Sequence, residues 1–431
     1  MSNQEPEAKD HPLPEKALKE LFAQSHDRGR AGLPVMSLSM GRGLVPRNQD
    51  ERRVETNLGD EEHRLVRSGE LAYNMMRMWQ GVCSLAEEDC LVSPAYVVVR
   101  PLNGMDPRFS EYLLTYEGTV AQFKRLSFGV VDDRLRLYYK DFERVRVKLP
   151  SPAAQKKIGK ILTTLDNLIE KTEALIAKYQ AVKQGMMHDL FTRGVDEHGQ
   201  LRPPHAEAPS LYYETILGWY PIGWKKLRLG DIIRSMQLGT NLLGNPQGDG
   251  LPLLKMGNLT KGGFSFGKLE FLSASSADQA RPFLLQHGDF LFNTRNTLEL
   301  VGKSAVWRLD LPACAFNSNI MRIKFTSDLD DFYAGYFFET QKGWAQFKRI
   351  ATGTTSVAAV YTRDLVECQL VLPPLLEQRR IVESLRSVEH QIYREQNAKH
   401  QWQLIKIGLM QDLLTGKVRV HVDPAEEAAH D

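Results

Sequence analysis

A chain of 431 residues with 42% hydrophobic and 25% charged side chains carries enough apolar material for more than one globular domain, and lacks the bias of a disordered or fibrous polypeptide. Its formal charge of +2 neither points to nucleic acid nor excludes it, because clustering of charge decides that, not the sum. No apolar run is long enough to span a bilayer, the opening MSNQEPEAKDHPLPEK is too polar and acidic for a signal peptide, and Cys83, Cys90, Cys314 and Cys368 show neither C-x-x-C spacing nor a His/Cys cluster, so a metal site and disulfides are not expected and a reducing cytoplasm is.

In chain order, residues 1–32 read as a polar tail followed by a short amphipathic helix over 15–26, with Leu18, Leu21 and Phe22 on one face. From 33 to 149 the pattern becomes a β-rich head. Its clearest strands are 71–76, 96–101, 134–139 and 144–149, and 109–126 reads as a helix. Pro150 and Pro152 punctuate, and the span 150–195 holds a long helix over 153–191. Ile158, Leu162, Leu165, Ile169, Thr172, Ile176 and Tyr179 form its seam, beside a second row of Ile161, Leu165, Leu168, Leu175, Tyr179, Val182 and Met186. A polar, Pro-rich linker follows at 196–212. A second β-rich head occupies 213–372, with strands at 251–256, 289–294, 303–309 and 319–325 and a helix over 330–350. The span 373–418 holds a helix over 376–414 whose seam, Ile381, Leu385, Val388 and Ile392, gives way to polar REQNAKHQ before resuming at Trp402, Ile405 and Leu409. The tail 419–431 is acidic.

The chain repeats itself. LPSPAAQKKIGKIL from residue 149 and LPPLLEQRRIVESL from residue 372 open segments that align without a gap at an offset of 223. Gln155 meets Gln378, Ile158 meets Ile381, Lys183 meets Lys406, and Asp189-Leu190 meets Asp412-Leu413. The heads repeat too: AQFKR occurs at 121–125 and 345–349, each with a glycine four residues beyond, and SGELAYN at 68–74 parallels HGDFLFN at 287–293. A duplication of this period predicts two similar heads, each followed by a helix and related by pseudo-two-fold symmetry. A ligand reading such a protein would itself carry two half-sites. The helix length, about 58 Å for 39 residues at 1.5 Å per residue, exceeds what one domain core needs.

These segments resemble the specificity (S) subunits of type I restriction–modification enzymes, and the resemblance covers most of the chain. LPPLLEQRRI at 372–381, MMHDLFTRGVDEHGQLRP at 186–203, ETILGWYPIGWKKLRLGDI at 214–232 and GDFLFNTRNTLELVGKSAVW at 288–307 carry it. The first half departs from the pattern: the W-x-x-x-x-L-G-D-I strand at Trp224–Ile232 has no counterpart before residue 68, where GLPVMSLSMGRGLVPRNQDERR stands instead. The resemblance implies an α+β fold with two target-recognition domains, the long helices packing as an antiparallel coiled coil. It implies a non-catalytic subunit that reads a bipartite site on double-stranded DNA and recruits two methyltransferase subunits. Those subunits would bind S-adenosylmethionine and methylate adenine, and restriction/translocase subunits would join them.

Within that frame, phosphate contacts come from Lys and Arg, and base-edge contacts from amide, guanidinium and hydroxyl groups on loops. Asn74, Arg77, Trp79 and Gln80 follow the first hairpin strand; Asn293, Arg295 and Asn296 follow the second. Each asparagine equally suits a solvated turn. Lys124 and Arg125, and Lys348 and Arg349, end helices before glycine loops, the second of which carries Thr354, Thr355 and Ser356. Such pairs suit phosphate, and they also suit simple complementation of a helix C-terminus. Lys255, Asn258 and Lys261 complete the set, against the alternative of an ordinary surface turn.

Two look-alikes fail. SPAY at 93–96 lacks the second proline of an N6-adenine methyltransferase motif and has no glycine-rich loop upstream. TLELVGKS at 297–304 has Thr297 where a phosphate-binding loop needs glycine. No catalytic triad, carboxylate pair or acidic nuclease cluster stands out. A rival of another class is a non-catalytic coiled-coil scaffold whose heads bind protein.

Overall fold

Two long helices, Pro152–Leu190 and Leu375–Leu414, lie within a residue of the spans their seams predict. The first is rich in Lys, Ala and Leu and the second in Leu, Gln, Glu and Arg, residues that lose least on entering a helix. The first is followed by Gly194 at φ 61°, a backbone conformation that ends helices and that glycine adopts without a Cβ penalty. The computed structural model describes residues 13–47, 58–102, 104–129, 135–308, 310–354 and 356–422.

The chain divides into two units, 1–174 with 395–431 and 175–394. Each unit combines one head with the first half of one helix and the last half of the other. In the first, Asp166 pairs with Lys406 at 2.5 Å and, seven residues on, Glu173 pairs with Lys399, seven residues back, at 2.8 Å, so the helices run antiparallel. In the second, Lys183 pairs with Glu389 at 2.8 Å in the same sense.

Equivalent residues build the two cores. Phe109, Phe123, Ile158, Leu162 and Leu413 are buried in the first unit; their repeats Tyr333, Phe347, Ile381 and Leu385, together with Leu190, are buried in the second. Each such side chain contributes about 1.5–3 kcal/mol on leaving water, so a head and its helix ends fold as one body. The seam residues sort by depth. Ile158, Leu162, Leu165, Ile381 and Leu385 are buried, while Ile169, Ile176, Tyr179, Val388, Ile392, Trp402 and Leu409 are half-buried.

The repeated glutamine has a physical role. Gln378 Oε1 accepts from the backbone N–H of Asp330 at 2.9 Å, and its Nε2 donates to the carbonyls of Pro373 and Asp328. Gln155 does the same with the N–H of Asp106 at 3.1 Å and the carbonyl of Pro150. Asp106 and Asp330 in turn cap the helices Pro107–Thr115 and Asp331–Glu339. A buried amide thus ties each long helix to the N-cap of a helix in its head, Pro107–Thr115 or Asp331–Glu339.

The head sheets share one topology. In the second head, Ile233–Leu238, Ile320–Phe325, Phe290–Asn293 and Ser304–Val306 lie side by side, all antiparallel. In the first, Phe22–Ser25, Tyr96–Pro101, Leu71–Asn74 and Cys83–Leu85 take the same order. This corrects the reading of 15–26 as one helix outside the head. Glu15–Ala17 pairs with Arg146–Lys148 just as Lys225–Arg228 pairs with Gln369–Leu372, so the first head does have an opening strand. Burial of Ala17, Leu18, Leu21 and Phe22 mimics a helix period because the two strands flank a four-residue helix, Leu18–Leu21.

Other expectations change in detail. The helix over 109–126 is two, Pro107–Thr115 and Glu117–Leu126, broken at Tyr116 where ψ is 135°. That over 330–350 is likewise two, broken at Thr340, whose hydroxyl caps the next helix by accepting from Gly343 N–H. Of the strand expected at 134–139, the described residues 135–139 form none: Arg136 only bridges to Phe128, and Tyr139–Phe142 is helical. The end of the linker enters a hairpin, Tyr212–Thr215 with Gly218–Pro221. The tails 1–12 and 423–431 lie outside the described residues.

Candidate nucleic-acid interface

In the second head two loops that are far apart in sequence meet. Arg295–Asn296 pairs with Ala358–Ala359, which pairs with Thr352–Gly353, so the segment after the hairpin strand and the TGTTS loop form one small sheet. Gly353, at φ 136°, has the carbonyl of Val357 2.3 Å from where a Cβ would stand, so only glycine fits the hairpin there. Thr354 and Ser356 hydroxyls lie 3.2 Å apart at its exposed tip; Thr355 lies outside the described residues. Arg295 and Arg349 are exposed and make no ion pair among the described residues.

Beside this sheet the indole of Trp344 carries Lys261 on it at 5.2 Å and Lys348 at 5.1 Å from the ring centroid. Lys348 also donates to the carbonyls of Leu298, at 2.5 Å, and Glu299. It therefore secures the loop 297–300 as well as adding charge, and partial burial lowers its pKa against the opposing pull of Glu299. Trp344 was not singled out in the sequence; its i, i+4 spacing to Lys348 is the signal that finds it. Lys342, 4.9 Å over the Tyr220 ring, was missed likewise.

Several candidates turn inward. Asn293 is fully buried: its Nδ2 donates to the carbonyls of Arg295 and Asn319, and its Oδ1 accepts from Asn296 Nδ2. Asn296 further accepts from Thr297 N–H. Asn258 is 4% exposed, with both amide hydrogens donated, to the Ser265 and Lys268 carbonyls, and its oxygen accepting from Lys255 N–H. Lys255 pairs with Glu270 at 2.5 Å. The turn reading holds for Asn293 and Asn258, whose amide hydrogens are both donated inside the fold.

The first head shows the same plan with different chemistry. Asn74 Oδ1 accepts from Met76 N–H at 2.9 Å, closing a turn. Trp79 donates its indole N–H to the Met76 carbonyl, and Lys124, the repeat partner of Lys348, lies 5.8 Å over its ring. Arg77 is half-buried, and Gln80, Lys124 and Arg125 are exposed. Leu137 N–H donates to the Met75 carbonyl, which draws the Phe128–Arg136 bridge against this loop. In each head, then, a strand-end loop, a Trp–Lys contact and a second loop converge on one face.

Residues 75–179 and 221–401 match the family described as the type I restriction modification DNA specificity domain. The chain belongs to that family. The MjaVIII specificity subunit of Methanocaldococcus jannaschii is 27% identical over 286 residues, 65% of this chain and 64% of its own length. The EcoKI specificity subunit of Escherichia coli K12 is 24% identical over 251 residues, 56% of this chain and half of its own length. The chain thus matches about two-thirds or less of these two relatives. The fold is that of the S subunit from M. genitalium of a type I restriction–modification system: TM-score 0.58, 12% identity, 94% of this chain and 97% of that one. A chain from a study of assembly and conformational transition in the type I R-M system gives a TM-score of 0.50 at 16% identity, over 94% of this chain and 98% of that one. Within this specificity family, the departure in the first half is one of sequence, since the head it encodes keeps the sheet order of the second. No helix among the described residues is long and apolar enough to cross a membrane.

Proposed function

We propose that this chain is the DNA-reading subunit of a type I restriction–modification complex. Each head reads one half of a bipartite, asymmetric site in double-stranded DNA, and the helices fix the gap between halves. The observation that carries this reading is the duplicated head. Two sheets of one topology present loops of unlike sequence at equivalent places, as two unlike half-sites require. Arg295, Thr354 and Ser356 are the reading groups of the second head and Arg77 and Gln80 those of the first. Lys124, Arg125, Lys261, Lys348 and Arg349 meet phosphate, where cations supply affinity without sequence preference.

The helices supply docking surface for partners. Leu168, Leu175 and Val182, seven apart on the first helix, are 37–42% exposed, and Leu404 and Ile407 of the second are 50% and 61% exposed. Apolar rows of this kind on a helical strut suit two methyltransferase subunits, which would bring S-adenosylmethionine, with restriction/translocase subunits completing the complex. The chain itself performs no chemistry in this reading. Mapping methylated adenines in cells with and without the chain tests it. Gain of one bipartite motif is expected; an unchanged map favours a scaffold whose heads bind protein.

A further inference from the structure

In each unit the two helices are joined by the same three groups. In the first, Lys406 Nζ lies 2.5 Å from Asp166 Oδ1, Tyr112 donates its hydroxyl to Asp166 Oδ2 at 2.6 Å, and Lys406 sits 5.3 Å over the Tyr112 ring. In the second, Lys183 Nζ lies 2.8 Å from Glu389 Oε1, Tyr336 donates to Glu389 Oε2 at 2.8 Å, and Lys183 sits 5.4 Å over the Tyr336 ring. The lysines, the acids and the tyrosines occupy equivalent places in the repeat. The tyrosine comes from the head, the acid from one helix and the lysine from the other. Around this shared triad the units differ: Lys183 also meets Glu339 at 3.4 Å and Arg308 meets Glu389 at 2.8 Å, while Tyr112 meets Thr163 at 3.3 Å.

A half-buried ion pair is a poor source of stability, because desolvation offsets its attraction. Lys183 and Glu389 are only 16% and 15% exposed, whereas Lys406 and Asp166 are 26% and 39% exposed, so the pair in the second unit is the more costly to break. Such pairs do specify register, since sliding one helix would unpair all four groups and leave Lys183 and Glu389 largely buried without partners. The apolar seam cannot do this alone. Between Ile392 and Trp402 the second helix presents only polar or small side chains and the outward Tyr393, and a slip of seven residues, about 10 Å, restores a heptad seam. We propose that Tyr112–Asp166–Lys406 and Tyr336–Glu389–Lys183 set the register of the two helices and so the number of base pairs between the half-sites. The second clause rests on the reading of heads and helices under the proposed function.

The test replaces both ion pairs in the full chain with leucine: Asp166→Leu, Lys406→Leu, Lys183→Leu and Glu389→Leu. Spin labels on cysteines introduced at the exposed Lys160 and Gln401 report the register in the first unit, the four native cysteines being buried. The parent should give one narrow distance. The leucine variant leaves Glu339 and Arg308 without these partners and should melt lower, yet show a second distance from an axial slip of about 10 Å. Its methylation map, made with the partner subunits present, should keep both half-sites but show more than one gap length. Asp166→Glu, which copies the acid of the second unit, should retain one distance and one gap. If the leucine variant does not fold, Tyr112→Phe with Tyr336→Phe, which removes only the hydroxyls, should broaden the same distance. A single distance in the folded variants overturns the register role. A second distance with an unchanged gap overturns the link to base-pair spacing, and with it the helices as a ruler, while leaving the half-site reading of the heads intact.

Discussion

At the scale of single residues, the sequence marks the loops but not which side chains leave them. Asparagine serves a tight turn and a base edge equally well, and Asn293 and Asn258 are turned into the fold while Arg295 is exposed. That choice is made by partners remote in sequence, the carbonyl of Asn319 for Asn293 and that of Lys268 for Asn258. Arg295→Ala is expected to cost about 1–3 kcal/mol of affinity for the cognate duplex and to relax one position of the half-site. Fluorescence anisotropy on matched and singly substituted duplexes would measure both. Arg349→Ala should instead weaken all duplexes alike and reduce the slope of log K against log salt by about one. Asn293→Ala should act on the fold: losing a buried, fully bonded amide costs about 1–3 kcal/mol, read as a lower midpoint in urea.

Among the elements, length decides what can be read. The long helices are legible to within a residue because many turns repeat one signal. The strands Glu15–Ala17 and Phe22–Ser25 are too short for alternation to outvote a helix period, and only their pairing with Arg146–Lys148 and Tyr96–Pro101 identifies them. The breaks at Tyr116 and Thr340 escape pattern reading because the apolar spacing continues across them. One helix start also carries a pH signature. Burial pushes the Asp331 carboxyl up to about 6, with Asp330 and Asp289 adding to the rise and Lys324 opposing it. The folded chain therefore holds a proton there that the unfolded chain releases earlier. The resulting contribution is full below about pH 4 and is lost as pH rises through about 6. Asp331→Asn should consequently melt higher than the parent at pH 7.5 and the same at pH 4, as differential scanning calorimetry across that range would show.

For the whole molecule, the duplication is plain in the sequence, but the division is not. A linear reading gives head, helix, head, helix, whereas each folded unit takes half of both helices. The reason lies in the antiparallel pairing, which brings Lys399 and Lys406 to the acids of the first helix and cannot be read from either seam alone. If the helices are the ruler, four residues inserted after Thr172 add about 6 Å and nearly preserve helical phase, so the gap should lengthen by about two base pairs with both half-sites kept. A two-residue insertion turns the seam away and should lower the melting temperature instead. The most direct test of the central claim, that each head reads its own half-site, replaces residues 221–372 with the second head of another family member and maps methylated adenines. One half of the motif should change while the other half stays as it was. A map in which both halves change, or neither, would show that the heads do not read separate half-sites.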